Sequence, residues 1–182
     1  KKFYSREFIS ILEKKFKINN IQPDWSLKGG GMHSSKKGGY LKVHSDFIYK
    51  RKSKTRRVLN LLVYLNSNWK EEWNGSLELW DNKMNNCKKK ILPLINNAVI
   101  FRTDVESNHG FPEPINCPEN LNRMSIALYY YVNEKSFFPF NLKQRKFYHA
   151  IWKQRPGKKE PSFSDQDGLL KRIKNKFFYR FF

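Results

Sequence analysis

The residues of this chain best suited to chemistry are His44-Ser45-Asp46 and, far downstream, His109, followed by Arg123-Met124-Ser125. Two imidazoles and one carboxylate on one face of a metal ion leave the opposite face open, the facial arrangement that suits mononuclear non-haem Fe(II). Tyr40 to Asp46 alternates with period two, as a strand does, and alternate residues of a strand share a face. His44 and Asp46 can then reach one ion from a rigid base. His109 has to arrive from another strand, and the polar stretch Thr103 to Asn108 is the turn that would deliver it. By itself a His-x-Asp pair is weak, because it also occurs by chance on surface strands, where His109 would be an ordinary turn residue.

Arg123 and Ser125 tip that balance. They share a face at the start of an apolar strand pattern, Met124 to Val132, which has little reason to begin with a charge unless an anion is held there. A planar guanidinium matches a carboxylate through two parallel hydrogen bonds, and the hydroxyl beside it adds a donor. An arginine at a strand end facing water is the competing reading, and it leaves the coincidence with the three metal-binding side chains unexplained.

The elements that must position these residues are legible in outline. Residues 6–16 put Phe8, Ile11, Leu12 and Phe16 on one stripe at helical spacing, with Ser5 placed to cap, which predicts a packing helix. Glycines at 29–31 and 38–39 bracket a turn-rich stretch around His33. The segment Tyr49 to Arg57 is strongly basic and reads as a loop that could cover the mouth of a site, whereas Val58 to Leu65 is a continuous apolar run of the kind buried on both faces of a sheet. Further strands are predicted at Gly75 to Trp80, Ile91 to Leu94, Ala98 to Arg102 and Met124 to Val132. Trp69, Trp73 and Trp80 could stack on a substrate or fill a core. Many short strands, frequent turns and little helix predict a mainly β fold, a double-stranded β-helix or jelly roll, with an N-terminal packing helix. The jelly-roll domain is expected over residues 1–135. Residues 136–182 form a C-terminal extension whose last segment, with Leu170, Ile173 and Phe177 on one face among lysines and arginines, predicts a basic amphipathic helix.

Length and composition fit one domain with a tail, since 182 residues with 39% hydrophobic and 16% aromatic content can fill a core. The chain contains no apolar run long enough to span a membrane and opens on no signal-peptide hydrophobic region, so the expectation is a cytoplasmic protein. Cys87 and Cys117 lack the spacing of a disulfide framework and read as reduced thiols. The net charge of +20 would attract phosphates, acidic glycans, nucleic acid or an anionic membrane surface. Lys and Asn recur throughout, however, as a codon bias would also produce.

The motifs together resemble the 2-oxoglutarate/Fe(II)-dependent dioxygenases of the prolyl 4-hydroxylase-like branch. The family order of His-x-Asp, distal His and Arg-x-Ser is met by His44-Ser45-Asp46, His109 and Arg123-Met124-Ser125. Leu59 to Asn66 is similar to the family strand ending in Tyr-Leu-Asn, and Trp73 to Leu79 to its Gly-Gly-x-Leu strand, with Asn74 in place of the first glycine. The Pro112 to Pro118 stretch lengthens the interval between distal His and Arg, which bears on the shape of the substrate entrance. The resemblance implies Fe(II) held by His44, Asp46 and His109. It implies 2-oxoglutarate held by Arg123, Ser125 and Tyr64, O2 as the oxidant, and hydroxylation of an unactivated C–H bond with release of succinate and CO2. It favours a peptide or protein side chain as substrate, with the basic segment suiting an acidic one. A small molecule or glycan, or a non-catalytic basic module binding nucleic acid or membrane, are the other classes open to the sequence.

Overall fold

The structure is a computed structural model that describes residues 2–50, 53–133 and 149–159. Among the described residues, one α-helix, α1 (Arg6–Phe16), leads into strands β1 (Gln22–Pro23), β2 (Gly31–Ser35), β3 (Leu41–Ser45), β4 (Tyr49–Lys50), β5 (Thr55–Tyr64), β6 (Leu77–Trp80), β7 (Cys87–Ile91), β8 (Ala98–Arg102), β9 (His109–Phe111), β10 (Arg123–Asn133) and β11 (Ile151–Trp152).

The helix starts where the sequence places it: the Ser5 hydroxyl accepts a hydrogen bond from the Phe8 N–H at 3.2 Å, and Lys17 ends the helix in the left-handed region at φ 52°. Its buried face is rotated by a fraction of a turn from the predicted stripe. Leu12 is buried, with Phe8, Ile9 and Phe16 against the core, while Ile11 is 60% exposed.

Two antiparallel sheets build the predicted jelly roll. In the first, β10 and β5 pair along their length, β1 and β2 flank β10, and β4 and β8 flank β5. The second runs in the order β11-β3-β9-β6-β7. The outer face of the first sheet carries Val58, Leu59, Leu61, Leu128, Tyr130 and Val132, which pack under α1 around Leu12. Its other face carries Leu62, Ala127, Tyr129 and Tyr131. The continuous apolar run of β5 is thus explained by burial on both sides.

Three expectations need correction. Where a basic loop was expected, Tyr49 and Lys50 pair with Arg56 and Thr55 as β4 against β5, Arg56 and Arg57 are buried, and Lys50 Nζ pairs with Asp24 at 2.6 Å. Strand β7 ends at Ile91, where Ile91 to Leu94 was predicted to be extended. Pro93 cannot donate to a ladder, and Leu94 keeps only an isolated bridge to Asn66. Asp46 lies one residue beyond the end of β3. The predicted C-terminal helix falls outside the described residues, but Ile151–Trp152 pair with Ser45 and His44, so the second sheet draws a strand from beyond residue 135. No helix among the described residues is long and apolar enough to cross a membrane.

Candidate metal centre and anion pocket

His44 and His109 are direct partners across β3 and β9, and directly opposed residues of antiparallel strands project from one face. Their ring centroids are 4.6 Å apart. The pairing depends on a bulge: Leu41 opposes Phe111, so β3 spends one residue more than β9 in reaching His44. Gly110 makes that possible, since a Cβ there would lie 2.7 Å from the Leu41 carbonyl oxygen and 2.8 Å from that of Lys42.

Each imidazole is oriented from behind. His44 Nδ1 lies 2.9 Å from the Lys42 carbonyl and His109 Nδ1 lies 2.9 Å from the Ser107 carbonyl. A carbonyl can only accept, so both protons sit on Nδ1 and both Nε2 lone pairs are free to bind. Asp46 completes the set, with Oδ1 3.6 Å from His44 Nε2 and Oδ2 3.8 Å from His109 Nε2. One donor atom from each residue falls within 4.8 Å of the others. Burial pushes the His109 imidazole down to about 4, which keeps it neutral. Burial alone would raise the Asp46 carboxyl, but the Arg57 charge opposes it and holds the group well below the ordinary carboxylate range. Two imidazoles and a carboxylate, buried and converging, fit a divalent transition-metal ion with open positions.

A second constellation lies on the first sheet, on the face of β5 that also carries Asn60, whose amide contacts Asp46. Ser125 opposes Tyr64 on β5 and His33 on β2, so the three form a row on one face, and Arg123 is two residues further along the same face. Arg123 is 4% exposed, and its Nε donates to the Gly75 carbonyl at 2.6 Å. Its guanidinium carbon lies 4.2 Å from the centre of the Phe111 ring and 5.3 Å from that of Tyr64. Gly75 is at φ +78°, and a Cβ there would come within 3.0 Å of Arg123 Cδ, so the turn after Asn74, itself at φ 57°, needs glycine for both reasons. Burial lowers the Arg123 pKa, a sign that a charge is costly here without a counterion. Burial raises the Tyr64 phenol against the pull of Arg123, yet the fully buried Tyr64 hydroxyl finds no hydrogen-bond partner among the described residues. A buried cation beside a buried, unpaired hydroxyl suits a carboxylate-bearing ligand.

The Pro112 to Pro118 stretch packs at this end of the barrel. Ile115 and Cys117 are buried with Trp69 against Trp73, and Ile115 exchanges backbone hydrogen bonds with the Gly38-Gly39 turn. Trp69 is thus a core residue, and the partly buried Trp73 packs against it.

Sequence reasoning missed three neighbours of the centre. Arg57 Nη1 lies 2.9 Å and Asn60 Nδ2 3.2 Å from Asp46 Oδ2. Trp152 opposes His44 from β11, with its ring 4.9 Å from the imidazole and 40% exposed. On the other side of the centre, a cavity of about 340 Å³ is lined by His109, Leu79, Trp80, Phe101 and Arg102.

A sequence profile described as the 2OG-Fe(II) oxygenase superfamily matches residues 30–131 of the chain. No curated protein matches it significantly. Among solved structures, a prolyl 4-hydroxylase from Phytophthora capsici aligns with a TM-score of 0.51 at 18% identity over 79% of this chain and 47% of that one. A prolyl-4-hydroxylase from Pseudomonas putida aligns at 0.46 and 15% identity over 73% of this chain and 64% of that one. A Trichoplax adhaerens prolyl hydroxylase, solved with a hypoxia inducible factor oxygen degradation domain peptide fragment, aligns at 0.43 and 21% identity, over 71% and 57%. The chain therefore spans roughly half to two-thirds of the length of these relatives.

Proposed function

The chain belongs to the 2OG-Fe(II) oxygenase superfamily, and from that premise we propose that it hydroxylates an unactivated C–H bond of a peptide or protein side chain, in the manner of a prolyl hydroxylase. In this reading His44, Asp46 and His109 hold Fe(II), and Arg123, Ser125 and Tyr64 hold 2-oxoglutarate. The carrying observation is the convergence of two imidazole nitrogens and a carboxylate within 4.8 Å, with the buried Arg123 and Tyr64 on the other sheet of the fold. Bound Fe(II) supplies the coupling of 2-oxoglutarate decarboxylation by O2, giving succinate and CO2, to transfer of one oxygen atom into the substrate C–H bond.

The chain's own contribution is binding, orientation and exclusion of water. The Lys42 and Ser107 carbonyls fix both imidazole tautomers, so neither ring must reorient when metal arrives. Arg123 offers the distal carboxylate of 2-oxoglutarate a charge, and the Tyr64 and Ser125 hydroxyls offer it donors, in a place closed to solvent. At the mouth, Trp152 beside His44 gives a flat apolar wall suited to a ring such as proline, and the cavity bordering His109 leaves room for flanking groups. Support for a peptidyl substrate comes from this wall together with the prolyl hydroxylases among the structural relatives.

Succinate release in the presence of Fe(II), 2-oxoglutarate and O2 tests the reading, with proline-containing peptides and small-molecule extract fractions as candidate substrates. Slow release without substrate, accelerated by a peptide that gains one oxygen atom in mass, is the expected result. Acceleration only by small molecules would shift the substrate class. Arg123→Ala is expected to weaken 2-oxoglutarate binding by roughly 2–3 kcal/mol, about 30- to 150-fold, with little change in metal affinity. Unchanged co-substrate affinity would remove the anion pocket from this site.

A further inference from the structure

Arg57 is the most deeply buried charge in the described residues, at 1% exposure, and it points at the metal centre because of an irregularity in the sheet. Opposite β5, Tyr130 pairs with Leu59 but Tyr131 pairs with Arg57, so β5 carries one extra residue there. Asn60 and Arg57 are three apart and would otherwise face opposite ways. The bulge turns both onto the face that carries Tyr129 and Tyr131, toward Asp46.

The guanidinium is clamped. Its carbon lies 3.7 Å from the ring centre of Tyr129 and 4.0 Å from that of Phe47, and Nε donates to the Tyr131 hydroxyl at 3.3 Å. From this fixed position Nη1 reaches Asp46 Oδ2 at 2.9 Å, and Asn60 Nδ2 reaches the same oxygen at 3.2 Å. Oδ2 also lies 3.8 Å from His109 Nε2, but Arg57 and Asn60 already claim it, whereas the other oxygen, Oδ1, faces His44 Nε2 at 3.6 Å. Asp46 needs such a restraint because it lies past the last residue of β3, where no ladder holds it.

Building on the metal site proposed above, we infer that Arg57 is a positioning residue: with Asn60 it occupies Asp46 Oδ2 and so presents Oδ1 alone as the metal-binding oxygen. Two effects oppose each other. A cation this close repels a divalent ion, whereas a carboxylate already turned toward the imidazoles loses no orientational freedom on binding. Orientation dominates, because Arg57 is already neutralised by the carboxylate it holds and its stacked ring neighbours keep it from following the metal.

Co(II) titration of the metal-free chain, followed by visible absorption, separates these effects. Arg57→Met is expected to weaken Co(II) binding roughly 10- to 100-fold, and Arg57→Lys by less, each with an altered band shape as the coordination changes. A purely structural arginine would lower the melting temperature and leave affinity and spectrum of the folded fraction alone. If Arg57→Met does not fold, Arg57→Lys carries the decision. Wild-type or tighter binding with an unchanged spectrum in a folded Arg57 variant overturns the inference. Wild-type Co(II) binding by Asp46→Ala would instead remove the underlying metal site.

Discussion

The Tyr64 hydroxyl is the residue whose role separates most cleanly from stability. It is fully buried, and among the described residues it has no well-aligned hydrogen-bond partner, only the pull of the nearby Arg123 guanidinium, so the fold recovers little of its desolvation. Tyr64→Phe should therefore leave the stability of the ligand-free protein unchanged or slightly raised, while weakening 2-oxoglutarate binding by roughly 1–2 kcal/mol, about 5- to 30-fold. Urea unfolding and co-substrate titration of the variant check both halves. A clear loss of stability would mean the hydroxyl already has a partner, and an unaltered affinity would free Tyr64 from the pocket. Individual residues were legible in the sequence where their relation is short and periodic: His44 with Asp46, and Arg123 with Ser125, are each two apart. Arg57 was not, because strand alternation places it on the wrong face and only the bulge opposite Tyr130 and Tyr131 reverses that. Its neighbours in sequence, Lys54 and Arg56, also made it look like one more surface charge.

At the level of elements, the pairing of β3 with β9 is what turns two distant histidines into neighbours, and Gly110 is its most exacting requirement. The atoms a Cβ would strike are main-chain carbonyls of Leu41 and Lys42, which cannot rotate out of the way as a side chain can. Gly110→Ala is accordingly expected to destabilise the protein by about 1–3 kcal/mol and to loosen Co(II) binding as well, since relief of the clash must move the strand that carries His44 away from His109. Denaturant unfolding alongside Co(II) titration measures the two effects. Wild-type values for both would show that the bulge can relax without disturbing the site. The helix, the long central strands and the general alternation were readable because propensity, capping and burial agree in α1, β5 and β10. Bulges were not, since they arise from how two strands fit together and leave no periodic mark on either. The same holds for β11, a two-residue strand that owes its existence to the free edge of β3.

Across the whole molecule, the candidate site is divided between the sheets. His44 and His109 belong to the second sheet, with Asp46 at the end of β3, whereas Tyr64, Arg123 and Ser125 belong to the first. A 2-oxoglutarate molecule bound to the metal at one end and to Arg123 at the other would tie the two sheets together across the barrel. The helix cannot do this, because α1 packs on the outer face of the first sheet. Metal and co-substrate should then stabilise the fold cooperatively. Each ligand present at about 100 times its dissociation constant adds roughly 2.7 kcal/mol, or about 5–10 °C in melting temperature for a chain of this size. Thermal unfolding with Co(II) alone is expected to show the first increment, and addition of 2-oxoglutarate the second. Without metal, 2-oxoglutarate should produce only a small shift, since it would then be held by the first sheet alone. Arg123→Ala should keep the metal increment and lose most of the co-substrate increment. An equal 2-oxoglutarate shift with and without Co(II) would show that the anion pocket and the metal centre act as two independent sites, and that no ligand joins the sheets.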